Sequence, residues 1–405
     1  MLNNTNPRLL KKIMLPALVL GSWLTGQAAL AYISDLSADV AEPSFTPIAM
    51  DPLLTPAFEA PLAAHSLLTD IARAGDRFVA VGEHGNIIYS DDGGAQWQQA
   101  RVPVSVNLTA VTFVDSQVGW AAGHHGVILK SEDAGASWAL IFDGMDAGAQ
   151  VIAAAEAEYE AAQAALDQAA SEEDQEAALE RLDLADLALG DARASIEFGP
   201  AQPLMDIWFD SPRQGLAVGS YGQIFRTTDG GQSWVLWKHG IDNPYNFHYY
   251  GISEAANGDI YLVGEQGGIH RSSDRGNTWT ALDSPYEGSL YGVLNASHAD
   301  GEVLLVYGFN GNVFRSLDSG QSWQRVRVPT RKSINDGVVL DDGSILLVGN
   351  SGVLLHSADG GESFSLQTDR LERPFVSVAA MGSDKLALVG IAGARIIQLG
   401  EGTVL

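Results

Sequence analysis

The chain contains no cysteine in its 405 residues. Disulfide bonds, thiolate metal sites, a thiol nucleophile and a lipid anchor carried by cysteine are therefore excluded, whatever the compartment. Basic residues are also scarce, with 23 Lys and Arg against 50 Asp and Glu and a net charge of −27. A surface of this sign repels the phosphates of nucleic acids and anionic lipids, so we expect no nucleic acid as a partner.

The chain also lacks a long hydrophobic run. Its most apolar segment, 13–24, has 12 residues, whereas a membrane-spanning helix needs roughly 20. Three basic residues within 8–12 precede this segment, and Ala29-Leu30-Ala31 supplies the small residues of a cleavage site. We therefore expect a signal peptide over 1–31, cleavage after Ala31, and a periplasmic or secreted product without a membrane span. The alternative is an N-terminally anchored protein, because the uncharged stretch continues to Ser34.

A repeated turn dominates the rest of the sequence. The pattern Ser/Thr-x-Asp-x-Gly-x-x-Trp/Phe occurs six times. Its Asp can accept backbone N–H groups inside a hairpin turn, its Gly supplies a positive φ, and its aromatic ring begins the next strand. We expect a structural role for these segments, which are referred to as the Asp-box turns: Ser90, Asp92, Gly94, Trp97; Ser131, Asp133, Gly135, Trp138; Thr227, Asp229, Gly231, Trp234; Ser272, Asp274, Gly276, Trp279; Ser316, Asp318, Gly320, Trp323; Ser357, Asp359, Gly361, Phe364.

A Gly-x-x-Gly pair and a short apolar strand precede each Asp-box turn. The first glycines of successive pairs lie 41 to 45 residues apart, except for one interval of 96 residues. Two β-rich runs precede each pair, so a unit contains four short strands, which is typical of a propeller blade. The sequence therefore predicts an all-β, seven-bladed β-propeller of four-stranded blades, with blades one and two at 66–142 and blades three to seven at 203–398.

The seventh unit, at Gly390 and Gly393, has no Asp-box turn and no outer strand. We expect the N-terminal segment 32–65, and Ser44–Phe58 in particular, to close this blade, because ring closure removes exposed strand edges. Residues 399–405 form a C-terminal tail.

The long interval contains an insertion at 143–202. Ala, Glu, Asp and Leu dominate it, and apolar residues recur at three- and four-residue steps, which predicts a helical hairpin over 151–170 and 172–190. We expect Leu179, Leu182 and Leu189 of the second helix to face the first. The insertion has 15 acidic and two basic residues. Two interpretations stay open: a docking arm for a partner, or a tolerated elaboration of a loop.

The segment 81–94, Val-Gly-Glu-His-Gly-Asn-Ile-Ile-Tyr-Ser-Asp-Asp-Gly-Gly, resembles the blade motif of the photosystem II stability/assembly factor family. The resemblance covers roughly 60–398, apart from the helical insertion, and extends to non-photosynthetic bacterial members. It implies a propeller that assists the assembly of a membrane or envelope complex rather than a reaction. Asp-box turns also occur in sialidases, other glycosidases and sorting receptors, so the fold alone does not settle the function.

No catalytic residues, metal site or cofactor are predicted. The chain has no Arg-Ile-Pro near its first blade, no His-Glu-x-x-His, no Gly-x-Ser-x-Gly and no phosphate loop. The Gly-rich turns lack the convergent oxygens that calcium takes. The alternative function is an Asp-box glycoside hydrolase or a carbohydrate-binding propeller, since a pair of carboxylates about 5–10 Å apart would suffice for hydrolysis.

The propeller architecture assigns the loops to two opposite faces. The Gly-x-x-Gly loops and the connections between blades share one face, termed the loop face, and the Asp-box turns lie on the other. Aromatic and arginine side chains dominate binding hot spots, so we expect the loop face of a monomeric protein to bind a protein partner. The candidate residues are His84, His124, His125, Tyr221, Phe309, Tyr245, Phe247, Tyr249, Tyr250, Tyr286, Arg101, Arg325, Arg327, Arg331 and Lys332.

Overall fold

The computed structural model describes residues 51–197, 202–237, 240–298, 301–368 and 373–399. Within these ranges the strands form six four-stranded sheets and one three-stranded sheet, and two long helices follow the second sheet. In every sheet the strands pair antiparallel in chain order. The fold is therefore all-β and propeller-like, with a helical insertion.

The strands and helices have the following bounds. Sheet one contains β1 (Leu68–Ala74), β2 (Arg77–Gly82), β3 (Ile87–Ser90) and β4 (Gln98–Gln99). Sheet two contains β5 (Leu108–Phe113), β6 (Gly119–Gly123), β7 (Ile128–Ser131) and β8 (Ala139–Phe142), and is followed by α1 (Gly144–Gln168) and α2 (Glu172–Glu197). Sheet three contains β9 (Leu204–Phe209), β10 (Gly215–Gly219), β11 (Ile224–Thr227) and β12 (Val235–Leu236). Sheet four contains β13 (Tyr249–Glu254), β14 (Ile260–Gly264), β15 (Ile269–Ser272) and β16 (Thr280–Ala281).

The remaining sheets follow the same order. Sheet five contains β17 (Leu290–His298), β18 (Gly301–Gly308), β19 (Val313–Ser316) and β20 (Gln324–Val326). Sheet six contains β21 (Ile334–Val339), β22 (Ile345–Gly349), β23 (Val353–Ser357) and β24 (Ser365–Thr368). Sheet seven contains β25 (Phe375–Met381), β26 (Lys385–Gly390) and β27 (Gly393–Gln398).

The second strand of each sheet forms the centre of the packing. In β2, β6, β10, β14 and β22, every residue after the first is buried. Each strand ends at the first glycine of a Gly-x-x-Gly pair, and a Cβ atom at Gly82 would collide with the carbonyl oxygen of Leu67. The glycine therefore allows the chain to turn directly above the start of the first strand.

Apolar clusters join each sheet to its neighbour. One packs Trp120 of sheet two on Ile207 of sheet three, and another packs Leu305 of sheet five on Leu347 of sheet six. A further cluster joins Phe78 of sheet one to Val389 of sheet seven. The last sheet is therefore in contact with the first.

Of the segment expected to close sheet seven, residues 51–58 lie elsewhere, whereas Ala63 and Ala64 pack on sheet seven beside Ala394. The amide of Ala57 donates to Val102 O and the amide of Ser105 donates to Pro52 O, so residues 51–58 follow the connection after sheet one. Leu53 and Ala57 pack there on an apolar cluster, which explains the position. Residues 44–50 lie outside the described ranges, and their contribution to sheet seven stays a prediction.

The two helices are longer than predicted. Asp143 caps α1, with its carboxylate accepting the amides of Met145 at 2.8 Å and Asp146 at 3.3 Å, so α1 begins directly after β8. The expectation for Leu179 was wrong, because its side chain is 49% exposed and Ala178 is buried instead. The small Ala side chain lets the two helices approach closely.

Specific contacts hold this helical arm to the propeller and to itself. The Gln150 side chain donates to Trp234 O at 2.9 Å and accepts from Leu236 N at 2.7 Å, which adds a partner to the edge of β12. Arg181 pairs with Glu158, and the arm's other basic residue, Arg193, pairs with Glu156. No helix within the described ranges is both long and apolar enough to cross a bilayer.

Candidate functional site

The Asp-box turns use their polar atoms within the turn. In the second turn, Asp133 Oδ1 accepts the amide of Ser137 at 2.8 Å, and Ser131 Oγ accepts the amide of Gly135 at 2.9 Å. The same bonds recur in the other turns, and hydrogen bonds from Ser233 lower the pKa of Asp229 to about 2. A carboxylate that is saturated by its own turn has little capacity for a ligand.

The loops after the second strands and the connections between sheets lie at one end of the sheets. After the second strands of the first six sheets, the loop is a short 3₁₀ turn whose first amide donates to the carbonyl that precedes the first strand, as from Glu265 N to His248 O at 2.9 Å. The middle residues have positive φ, 54° at His84 and 56° at Tyr221. The backbone therefore holds these side chains in fixed directions.

Three large aromatic side chains on the loop face are well exposed. The exposed fraction is 74% for Tyr245, 55% for Tyr221 and 44% for Phe309. The backbone of Arg331 and Lys332 passes beside the 3₁₀ turn Phe309–Gly311, within about 3.3 Å of where a Cβ at Gly311 would lie. These five residues form one exposed part of the predicted surface. His84 is also exposed there.

Other predicted residues are placed differently. Tyr249 is only 2% exposed, so its ring is not presented to solvent as predicted, and Tyr286 is half-buried, with its ring 6.0 Å from that of Phe314. Arg101 exchanges backbone hydrogen bonds with Ala136 and Trp138, which places it beside the second Asp-box turn instead of on the loop face. Tyr249 begins the first strand of sheet four and packs against sheet three, whereas Arg101 follows the outer strand of sheet one.

The remaining candidates differ in how far they are exposed and in what they contact. Arg325 donates to Asn312 Oδ1 at 2.8 Å on the outer strand of sheet five, and Arg327 is exposed just beyond that strand. His124 and His125 are half-buried in one 3₁₀ turn, and burial lowers the pKa of His124. Phe247 is half-buried beside Tyr245, and Tyr250 packs edge-on against Tyr291 at 5.8 Å.

A pocket of about 300 Å³ opens on the loop face of sheet four. The connection 242–249, the loop 264–268 and the strands β15 and β16 surround it. It is termed the Tyr245 pocket. The pocket was not predicted from the sequence, although the dense aromatic run from Tyr245 to Tyr250 was a signal for it.

A second space, termed the central cavity, has a volume of about 450 Å³. The first strands of all seven sheets contribute to its lining. Three carboxylates face it, from Asp70, Asp206 and Asp336. These channel aspartates occupy equivalent positions, two residues after the first apolar residue of β1, β9 and β21, and that sequence pattern could have revealed them.

Each channel aspartate links two sheets. Asp70 Oδ2 accepts the amide of Val111 in sheet two at 2.7 Å. Asp206 Oδ2 accepts the amide of Ile252 in sheet four at 2.9 Å. The Ser377 hydroxyl lies 2.7 Å from both Asp70 Oδ1 and Asp336 Oδ2.

Burial raises the pKa of these carboxyl groups. For Asp70 the pKa reaches about 8, because burial and the nearby charge of Asp336 disfavour the ionised form. For Asp206 it reaches about 7, again mainly through burial. The channel aspartates therefore join neighbouring sheets through hydrogen bonds, and their carboxyl groups can bind or release protons near neutral pH. Within the described ranges, no three His, Asp or Glu side chains are grouped to hold a metal ion.

Comparison with known proteins gives consistent similarities. The family model "Photosynthesis system II assembly factor YCF48" matches residues 56–144 and 191–285. The photosystem II assembly lipoprotein Ycf48 of Synechococcus sp. (strain CC9902) is 28% identical over 166 residues, which cover 40% of this chain and 48% of that protein. The chloroplastic photosystem II stability/assembly factor HCF136 of Arabidopsis thaliana is 27% identical over 146 residues, covering 35% and 34%. The match thus spans about half and about a third of these relatives' lengths.

Solved structures show the same fold. The structure "YCF48 bound to D1 peptide" superposes with a TM-score of 0.56 at 16% identity, covering 87% of this chain and 100% of that one. YCF48 from Cyanidioschyzon merolae gives a TM-score of 0.56 at 17% identity, covering 85% and 98%. The WD40 propeller domain of Doa1 gives 0.56 at 11% identity, covering 86% and 97%. At such identities the likeness establishes a β-propeller fold.

Proposed function

We propose that this chain, which belongs to a family of propellers like the photosystem II assembly factors, is a non-catalytic binding protein that helps to assemble or stabilise a membrane or envelope complex. The relatives named above are assembly factors rather than enzymes. One structure with the same fold holds a peptide of a partner protein, which supports a protein segment as the ligand.

The protein is a closed ring of seven blades in this proposal. All seven first strands line the central cavity, and an apolar cluster joins sheet seven to sheet one. A closed ring leaves no unpaired inner strand edge, so the two ends of the ring are free for binding.

The exposed aromatic group of the loop face carries the functional proposal. Tyr221, Tyr245 and Phe309 are more exposed than packing requires, and Arg331 and Lys332 lie close to Phe309. Aromatic and Arg side chains contribute most of the energy at protein interfaces. In a chain with a net charge of −27, a local basic and aromatic cluster selects a partner of complementary shape and charge.

The helical arm extends this surface. It begins at Asp143, next to the 3₁₀ turn His124–Gly126, where a Cβ on Gly126 would approach Gly144. Its two arginines are used within the hairpin, so its outer face is acidic. The arm docks on the same partner in this proposal. The mature chain is exported through its signal at 1–31, acts in the periplasm, and is monomeric.

A glycosidase function has less support from the geometry. The Ser377 hydroxyl fills the space between the Asp70 and Asp336 carboxylates. Backbone amides of Val111 and Val378 also occupy their oxygens. Hydrolysis would need one of these groups to reach a sugar. We expect no release of 4-methylumbelliferone from sialoside or glucoside substrates, and measurable turnover that disappears in Asp336→Asn would favour the enzyme.

Capture from solubilised envelope membranes tests the binding proposal. Replacing Tyr221, Tyr245 and Phe309 together by alanine should abolish recovery of the membrane complex without changing the thermal unfolding temperature. The matched control replaces the exposed Asp-box-turn residues Gln232 and Gln321 by alanine. Loss of recovery in the control and not in the loop-face variant would place the binding surface on the opposite face.

A further inference from the structure

The Tyr245 pocket lies between the connection 242–249 and the loop 264–268. Pro244, Tyr245 and Phe247 from the connection form one wall, and the 3₁₀ turn Glu265–Gly267 forms the facing wall. Tyr249 and His270 lie at its buried end, where they are 2% and 6% exposed. The pocket therefore has an open aromatic entrance and a closed polar interior.

Two buried polar atoms in this interior have no hydrogen-bond partner, Nδ1 of His270 and the hydroxyl of Tyr249. His270 Nε2 lies 3.1 Å from the backbone carbonyl of Asp242, which can only accept. Nε2 must therefore carry the proton, and Nδ1 of the neutral ring is a bare acceptor. Burial lowers the pKa of His270, which keeps the ring neutral at pH 7.

The Asn243 side chain bonds to both the amide and the carbonyl of Phe247, each at 2.9 Å, and it also interacts with the Tyr249 hydroxyl. Nδ1 of His270 remains a buried acceptor without a partner. An unpartnered buried acceptor costs about 1–3 kcal/mol. A ligand that donates hydrogen bonds would remove that cost.

The charged side chains that line the pocket are all negative. Asp242 and Glu265 line it, and no Lys or Arg is among its lining residues. The negative charge of Asp242 acts on both buried groups and raises the pKa of Tyr249 in addition to the main effect of burial. The ligand that fits is thus a cation with several N–H donors.

The entrance favours a planar cation. The rings of Tyr245 and Phe247 lie 5.6 Å apart with a tilt of 37°, and Tyr245 is 74% exposed, so its face is available for stacking. A guanidinium stacks on aromatic faces and presents its donors in a fixed plane, whereas an ammonium is compact and strongly hydrated.

We infer that the Tyr245 pocket binds an arginine side chain of the partner protein, with the guanidinium stacked on the exposed ring of Tyr245 and donating to His270 Nδ1 and the Asp242 carboxylate. This assignment rests on the proposed function and names the ligand group that one part of the loop face recognises. It also gives an acidic protein a specific contact with a basic segment.

Fluorescence anisotropy with a labelled Gly/Ser decapeptide that carries one arginine tests the assignment. The control peptide replaces arginine by citrulline, which has nearly the same shape and no charge. We expect the arginine peptide to bind at least about tenfold more tightly than the citrulline peptide, and more tightly than a lysine peptide. Equal affinities for arginine and citrulline, or no saturable binding of the arginine peptide, would overturn the assignment.

Variants locate the contact. Tyr245→Ala removes an exposed ring, so the fold should persist while the affinity for the arginine peptide falls about tenfold. His270→Phe keeps a ring and removes the acceptor, and should also weaken binding. Phe58→Ala, which removes another well-exposed aromatic ring outside the loop-face group, is the matched control and should change the affinity less than twofold. Unchanged affinity in both Tyr245→Ala and His270→Phe would contradict the assignment.

The same variants separate this assignment from the proposed function. If Tyr245→Ala reduces capture of the envelope complex but the arginine peptide does not bind, the function stands and the arginine assignment falls. If the arginine peptide binds as expected but no variant of the loop face affects capture, the pocket stands and the proposed assembly function falls.

Discussion

The link between Asp70 and Asp336 makes a testable prediction about protons. Ser377 Oγ is 2.7 Å from a carboxylate oxygen of each residue, yet a hydroxyl has one proton to donate. The second short contact therefore needs a proton on one of the two carboxyl groups. We expect the folded protein to retain this shared proton near neutral pH and the unfolded chain to release it. Replacing Asp70 with Asn should remove the effect.

The sign and size of the change in the free energy of unfolding with pH follow from the difference in pKa between the folded and the unfolded chain. The folded pKa of Asp70 is about 8, against 3.8 for the unperturbed group. A raised folded pKa stabilises the fold fully below the unfolded pKa, and this stabilisation is lost as the pH rises toward 8. One retained proton lowers the free energy of unfolding by about 1.4 kcal/mol per pH unit. Because the carboxyl groups face a cavity wide enough for water, we expect a loss of about 1–3 kcal/mol between pH 5 and 8 rather than the full value.

Urea unfolding followed by tryptophan fluorescence at pH 5, 6, 7 and 8 measures this loss. The amide of Asp70→Asn does not titrate, so the difference in stability between wild type and variant should shrink as the pH rises. His124 and His270, whose pKa values are lowered by burial, oppose the trend equally in both proteins and cancel in that difference. The fully exposed Asp76, changed to Asn, is the matched control and should give a constant difference. A pH-independent difference for Asp70→Asn would refute the shared proton.

Three further predictions concern the turns, the arm and the basic residues. Asp229→Ala should lower the free energy of unfolding by about 1–3 kcal/mol in urea titrations, because the amide of Ser233 loses its acceptor; unchanged stability would contradict a structural role. Replacing 153–192 with a short Gly/Ser linker should leave the thermal unfolding temperature unchanged and reduce capture of the partner, whereas a deletion that includes Gln150 should also destabilise β12. Arg331→Glu should weaken capture without unfolding the chain, while Arg101→Glu, next to an Asp-box turn, should leave capture unchanged.

The repeated turns and the four-stranded units could be predicted because their signals are local. Ser131, Asp133 and Gly135 lie within five residues and satisfy one another, so the residue pattern contains nearly all of the interaction. The ends of the helices were less predictable. Helix α1 begins at a cap, Asp143, that belongs to the strand connection rather than to the apolar periodicity of the helix.

The candidate sites depend on distant residues and were only partly predictable. The channel aspartates face one cavity because strands far apart in sequence line it, as in the bond between Ser377 and Asp70, which lie 307 residues apart. Tyr249 is buried because its side chain points between two sheets. A shift of the strand register by one residue would turn the same side chain toward solvent, and the sequence alone does not fix that register. Arg101 was misplaced because its outer strand ends beside the neighbouring sheet's turn.

Site-specific photocrosslinking tests the central claim, a protein-binding loop face, most directly. A photoreactive phenylalanine analogue at position 245 samples the loop face, and the same analogue at position 321 samples the Asp-box turns; both native side chains are exposed. With envelope membranes present, the account predicts a crosslink from position 245 to a subunit of a membrane complex and none from position 321. Crosslinks from position 321 alone would contradict the account.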